Sequence, residues 1–433
     1  MTILKKSRGF LGLIILASLI TVIPMVQAKA TTTLVLWDKL TADSMEMELH
    51  WIDAFEATHP GTEVEHVSMP TDYYNKLSVA IAAGVPPDVA QLIPTFSLAE
   101  FAEGGLIQPL DTFVQKAGIK ERDFFPLVWD SWHYDGSIWA MTYDVDPQML
   151  FTNRSLFAAT GVSLPNTIEE LDEAAKRLTL ADDEGNVKRM GFVPWLGDWC
   201  TWFAAWDAQL WDAKAGRIVV DNTNAVSMFA WMASYSERYG YARINALTSR
   251  IQNYHRGEPL FTDQLGALVS GPWVVRRFGL YAPEFEWDML PLPYAASGKP
   301  DSTTGNALTL TIPVGAKHPQ EAFEYIRWRT SQEHMLDRVH VPPAPGFPAR
   351  VAVARAYVQR YPEFMPMANA LAGPNSRPYL PTMPVSVFLS GELTRARNQV
   401  IQLQSSPRGA LDAVTKVVQA RLDEVLRMSR RSR

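Results

Sequence analysis

The chain reads as an α/β protein of two or three domains, and three observations carry that reading. Apolar periodicity alternates between strand-like and helix-like from residue 32 to residue 92. The hydrophobic fraction is 47% and the charged fraction 20%, as in a globular protein and unlike a disordered one. There is a single cysteine, Cys200, so no intramolecular disulfide is possible and a hydrophobic core must hold the fold together. Strand, helix, strand, helix in succession implies a sheet whose strands are largely parallel.

The elements follow in order. Thr32 to Trp37 is a buried first strand. Ser44 to His59 carries a helical stripe of Met47, Trp51, Ile52 and Phe55. Thr62 to Ser68 alternates valine with polar residues, as a strand does. Asp72 to Ala83 is helical, with Tyr73, Leu77, Val79 and Ile81 available for burial. Pro86-Pro87 stops it, and Asp88 to Leu92 is a short strand. Thr167 to Glu170 is a capping box that opens a helix through Leu178, with Leu171, Ala174, Ala175 and Leu178 on one face. Gly409 to Met428 is a long amphipathic helix, apolar at Leu411, Val414, Val417, Val418, Leu422, Val425 and Leu426.

The N-terminus reads as a secretory leader. Lys5, Lys6 and Arg8 precede an apolar run of about 17 residues, the low end of a bilayer span, so the competing reading is an uncleaved membrane anchor. Small-x-small sites follow at Val26 to Ala28 and Ala28 to Ala30. Cleavage after Ala28 or Ala30 gives a periplasmic or secreted protein. With no cysteine after the run, a lipid anchor is not expected. Removing 28 of 433 residues leaves 405, length for two or three domains. The formal charge of −6 argues against nucleic acid as a partner, which needs a basic face. The dense basic cluster at Arg427, Arg430, Arg431 and Arg433 reads as a frayed tail.

Catalytic patterns are missing. There is no H-E-x-x-H, G-x-S-x-G, P-loop or G-x-G-x-x-G, and the eight histidines have no close pair at metal-ligand spacing. No cofactor or metal is implied. Cys200 lies between Trp199 and Trp202, which favours a buried, inert thiol. Asp144 and Asp146 have the look of a glycosidase pair, but carboxylates equally hold sugar hydroxyls.

Ligands of parallel sheets sit beyond the carboxyl ends of the strands. That singles out Trp37 and Asp38, and Asp88 to Gln91; the competing reading for Asp38 and Asp88 is a turn or helix cap. Tryptophan is abundant, at 14 residues. Trp195, Trp199, Trp202 and Trp206 are spaced for one face of a helix; Trp202 and Trp206 read as core, whereas Trp195 and Trp199 lie in the loop and first turn, where a ring can face a cleft. Asp144 and Asp198 are the right neighbours for sugar stacked on such rings.

Longer motifs add a resemblance. L-A-E-F-A-E-G-G-L-I-Q-P-L-D from Leu98, Y-D-G-S-I-W-A-M-T-Y-D from Tyr134 and M-L-F-T-N-R-S-L-F from Met149 resemble the extracellular solute-binding proteins of ABC importers. So do F-T-D-Q-L-G-A-L-V-S-G-P-W from Phe261, with Leu268 where Met is usual, and W-D-M-L-P-L-P from Trp287. Gly305 to Leu310, Phe347 to Arg350 and Gly409 to Asp412 continue the likeness in order. Gly271-Pro272-Trp273 is similar to the tripeptide of maltodextrin-binding proteins whose Trp stacks on sugar.

The resemblance implies a two-lobed periplasmic binding protein fold with a hinge. It implies one lobe of residues 31–143 and 303–345 and another of 144–302 and 346–433, with crossings near Tyr143 to Pro147, Tyr294 to Asn306 and Pro342 to Arg350. The expected function is capture of a mono- or oligosaccharide by a monomer for an ABC permease. The expected ligand residues are Trp37, Asp38, Asp88, Gln91, Tyr143, Asp144, Trp195, Trp199, Trp273, Asn306 and Arg350. Glycerol-phosphate diesters are an alternative ligand class, with Arg350 as the visible cation; a secreted carbohydrate-active enzyme is the alternative outside the class.

Overall fold

A computed structural model of the chain describes residues 31–40, 42–92, 97–251, 257–337 and 346–432; the leader, with its cleavage sites, and part of the third expected crossing lie outside them. The strands that matter here are β1 (Thr32–Asp38), β2 (Thr62–Ser68), β3 (Val89–Leu92), β4 (Met141–Pro147), β5 (Met149–Asn153), β6 (Ala267–Ser270), β7 (Trp287–Leu290), β8 (Thr303–Thr311), β9 (Phe347–Pro348) and β10 (Ser376–Pro378). The helices are α1 (Ala42–Thr58), α2 (Tyr73–Ala82), α3 (Leu98–Glu103), α4 (Ile168–Leu178), α5 (Thr223–Tyr239), α6 (Trp273–Tyr281), α7 (Pro319–Arg329), α8 (Ser386–Ile401) and α9 (Pro407–Ser432).

Among the described residues the main sheet runs β9-β4-β8-β3-β1-β2, with β10 paired to β8. β1 is parallel to β2 and β3, as the strand–helix alternation requires, but β8 enters antiparallel to β3, and β4 pairs antiparallel with β8 and so runs the same way as β1 and β3. A second sheet, β6-β5-β7, is antiparallel. The chain passes from one sheet to the other through Gln148 alone, between Pro147 and Met149. The sheets anchor two lobes. One gathers α1, α2, α3 and α7. The other gathers α4, α5, α8 and α9, with α8 packed on both α5 and α9.

The register explains where a cleft can form. Leu92, the last residue of β3, pairs with Thr309. The rest of β8, back to Thr303, therefore runs past the carboxyl end of β3. Asp144, Val145 and Asp146 of β4 pair with Leu308, Ala307 and Asn306 in that overhang.

Local readings hold with informative exceptions. The capping box is complete, with Thr167 Oγ1 accepting from the Glu170 amide and Glu170 accepting from the Thr167 amide. In α2 the buried residues are Tyr73, Leu77 and Ala80, while Val79 is exposed and Ile81 only half-buried. Burial follows the helical period, and a valine two positions from Leu77 falls on the opposite side. Val417 of α9 is exposed for the same reason. The tryptophan segment is not one helix but a 3-10 turn, Trp199–Thr201, and a short helix, Trp202–Ala205.

The first helix buries an acid. Glu48 is 7% exposed and Arg329 of α7 is 2% exposed. Arg329 Nη2 lies 3.2 Å from Glu48 Oε2, and Tyr325 donates to Glu48 Oε1 at 3.2 Å. The guanidinium also lies 4.3 Å from the Tyr143 ring centroid. Burial opposes its charge, and Glu48 with its neighbours outweighs that, so Arg329 stays above its ordinary range.

Candidate functional site

The first lobe supplies a buried support beneath the overhang. Gln91 Nε2 donates to Tyr143 Oη at 2.6 Å, and the Gln91 amide donates to Tyr73 Oη at 3.1 Å. Both Gln91 and Tyr143 are buried, so they brace the floor. Trp37 is half-buried at the end of β1. Asp38 is buried, accepts from the Leu40 amide, and sits 2.6 Å from His66 Nε2. Burial pulls the His66 imidazole down, but the Asp38 bond and charge leave it raised. The aspartate thus joins β1 to β2 rather than standing free.

Two expected ligand residues are engaged elsewhere. Asp88 precedes β3, at the amino end of the strand. Its carboxylate accepts from the Val35 amide at 3.0 Å and the His318 amide at 2.9 Å, satisfying backbone donors away from the cleft. Arg350 is buried, donates through Nε to the Thr330 carbonyl at 2.6 Å, lies 3.6 Å from Asp123 and covers the Phe124 ring at 4.3 Å. Its donors and charge are taken up by Thr330 and Asp123, and it is not a cation presented to a phosphodiester.

The second lobe brings the aromatic wall. Gly197 has φ +84°, and a Cβ there would lie 2.6 Å from the Val269 carbonyl oxygen, so only glycine lets the 195–198 loop press against β6. Trp195 and Asp198 on that loop are partly buried. Arg397 of α8 steadies it: Nη1 donates to the Trp195 carbonyl at 3.5 Å, and the guanidinium lies 4.9 Å from the Trp199 centroid. Trp199 itself is 5% exposed and packs edge-on to Phe229, so it belongs to the core together with Trp202 and Trp206. Three and seven positions from Trp202 and Trp206, it shares their buried face although its own turn is 3-10.

Trp273 opens α6 directly beyond the end of β6 and is half-buried. Its ring folds back over Gly271, where a Cβ would lie 2.0 Å from the indole. The glycine therefore makes room for the ring, a contact the Gly-Pro-Trp spelling hides. Cys200 is buried, and burial pushes its thiol up to about 12, as for an inert thiol.

The electrostatics draw three acids together. Asp144 and Asp146 are two apart on a strand and share a face. Asp146 Oδ1 is buried and has no hydrogen-bond partner among the described residues. Its carboxyl is held well above the usual range, first by burial, then by the charges of Asp144 and Asp198. Burial lifts Asp198 to about 6. Asn306, opposite Asp146 in the β8 register, is half-buried beside them. Asp146 was legible as half of a carboxylate pair, but its unmet acceptor depends on the β4–β8 overhang. A cavity of about 470 Å³ is lined by Tyr379, whose hydroxyl accepts from the Cys200 amide, and by none of the expected ligand residues. Trp211, Thr304 and Arg377 line it too, with Arg377 paired to Asp207 at 2.7 Å.

Such an arrangement suits a neutral polyhydroxyl solute. Ring faces can meet its C–H surface while the unmet Asp146 oxygen accepts a hydroxyl.

Comparison with known proteins agrees. Residues 41–335 match the family described as bacterial extracellular solute-binding protein. The fold is similar to that of CpMnBP1 with mannotriose bound, at 25% identity and TM-score 0.80, covering 90% of this chain and 100% of that one. It is similar also to maltose-bound MalE3 of T. maritima, at 20% identity and TM-score 0.74, covering 90% and 100%. A third is the maltodextrin-binding domain MalE of Bdellovibrio bacteriovorus bound to maltotriose, at 16% identity and TM-score 0.74, with the same coverage.

Proposed function

The chain belongs to the bacterial extracellular solute-binding protein family, and we propose that it captures a mono- or oligosaccharide between its lobes and delivers it to an ABC permease. The observation that carries this reading is the convergence of Asp144, Asp146 and Asp198, with the half-buried Trp195 three positions before Asp198 on the same loop. Asp144, Asp146 and Asn306 come from the strands that join the lobes. Trp195, Asp198 and Trp273 come from the second lobe, and Trp37 from the first. A ligand bridging these groups favours the closed form, because an open protein offers it one wall at a time. The lobes are residues 31–143 with 303–345, and 144–302 with 346–433, hinged where β4 and β8 leave the main sheet. The protein acts as a monomer and binds without catalysis, cofactor or nucleic acid.

The engaged state of Arg350 leaves the phosphodiester alternative without its cation. CpMnBP1 holds mannotriose and the two MalE proteins hold maltose and maltotriose, so these saccharides are the first probes. Titration calorimetry should give saturable binding of at least one of them; binding of glycerol-phosphate diesters alone would favour the alternative.

The protein works outside the cytoplasm. No helix among the described residues is long and apolar enough to cross a membrane. The basic start, apolar run and small-residue sites support export with removal of residues 1–28 or 1–30. Mass spectrometry of the exported protein should show the shortened N-terminus, and an intact leader on that protein would contradict it.

A further inference from the structure

The two lobes touch at a second place, away from the carboxylates and tryptophans. Glu100 lies on α3 of the first lobe. Its Oε1 accepts a hydrogen bond of 3.0 Å from the Val387 amide, in the first turn of the 16-residue α8 of the second lobe. The two residues are 287 positions apart and lie in different lobes of the proposed division, so the bond spans the lobe boundary. A cavity of about 650 Å³ spans the same junction, walled by Glu100, Glu103 and Gly104 on one side and by Val387, Phe388 and Arg421 on the other. Helix amino ends carry unpaired amides and a positive dipole, both complementary to an acidic side chain.

We infer that Glu100 is a positioning residue that latches the closed form by capping α8 across the lobe boundary. The inference rests on the hinged-capture reading above, but it concerns the open–closed equilibrium and not the identity of the ligand. Glu100 touches no residue of the proposed ligand set; it acts by adding a bond that only closure can make.

The latch carries a pH dependence of defined sign. In the closed form burial lifts the Glu100 carboxyl to about 7, opposed by the Val387 and Phe388 amides and by Arg421. The charged groups facing it are Glu103 on its own helix, bonded by the Tyr134 hydroxyl, and Arg421 of α9, paired with Glu424 at 2.7 Å. α8 contributes amides. Opening returns the carboxyl to water and to its ordinary range. The closed form therefore holds its proton more tightly, and closure strengthens as pH falls from about 8 through 7 toward 5.

The test uses the ligand-free protein, so that failure of the saccharide assignment leaves it unaffected. Val79 and Leu280 are exposed, one on each lobe, and Val79→Cys with Leu280→Cys accepts spin labels while buried Cys200 stays unlabelled. Pulsed dipolar spectroscopy then reads the share of short inter-lobe distances. The latch predicts that this share rises at least twofold from pH 8 to pH 5. Glu100→Ala should lower it at least twofold at pH 5. Glu100→Gln keeps an acceptor for the Val387 amide and should hold a high, pH-independent share. An Ala variant with an unchanged distribution, or a Gln variant that keeps the wild-type pH profile, would overturn the inference.

Discussion

Glu48→Ala is expected to lower the unfolding free energy by about 3–5 kcal/mol, the range for removing one partner of a buried ion pair. Arg329 is 2% exposed, and its guanidinium sits among Tyr143, Tyr325 and Trp51. Without Glu48 its charge has no compensating carboxylate within bonding distance. Arg329 Nε has no partner among the described residues, and the His334 ring nitrogen 3.5 Å from Nη1 brings no negative charge to take over. Glu48→Gln keeps an acceptor for the Tyr325 hydroxyl and should cost less. Denaturant unfolding of the three proteins checks this. A loss below about 1 kcal/mol for the alanine variant would mean that water reaches the guanidinium.

A second large effect is expected at the cleft, where two substitutions should weaken binding while moving stability in opposite directions. Trp273→Ala removes an aromatic face and should weaken saccharide binding by about 1–3 kcal/mol, roughly tenfold to a hundredfold. The ring also covers Gly271 and packs against the core, so the ligand-free protein should melt lower. Asp198→Asn replaces one accepting oxygen by an amide donor and should weaken binding too. The native carboxyl, however, costs stability. Its folded value of about 6 exceeds the ordinary 3.8, so folding disfavours the charged form. That cost is full above pH 6 and fades as pH falls toward 3.8. Partial exposure discounts it to about 1–2 kcal/mol. Asp198→Asn should therefore melt higher than wild type at pH 7.5, with the gain vanishing near pH 4. Calorimetric titration and melting of both variants separate the two roles. Intact affinity in either would remove that residue from the cleft.

Much of the architecture was legible because it is local. The capping box at Thr167, the burial of Leu171, Ala174, Ala175 and Leu178, and the strand–helix alternation before residue 92 each depend on neighbours a few positions away. Trp202 and Trp206 read correctly as core. What stayed hidden is what distant segments decide. Glu48 shares the helix face of Trp51, Ile52 and Phe55, but the partner that compensates a buried acid there, Arg329, lies 281 positions away. Asp38 and Asp88 look alike as acids flanking strands, yet one lies at a carboxyl end and the other at an amino end, where His318 arrives to bond it. Arg350 spends its donors on Thr330 and Asp123, from helices and turns its own motif does not mention. Trp199 packs against Phe229 of α5, a distant helix whose arrival the Trp spacing does not announce. The unmet oxygen of Asp146 needs β8 to overrun β3, a fact of register and not of composition.

The central claim is that a saccharide closes the two lobes on itself. The most direct measurement is solution scattering from the mature protein, with and without a saturating concentration of whichever of mannotriose, maltotriose or maltose calorimetry shows to bind. The account predicts a smaller radius of gyration with saccharide, and no such change in a variant carrying both Trp273→Ala and Asp198→Asn at the same saccharide concentration. An unchanged scattering profile at confirmed saturation would contradict it and leave a rigid pocket in place of a closing clamp.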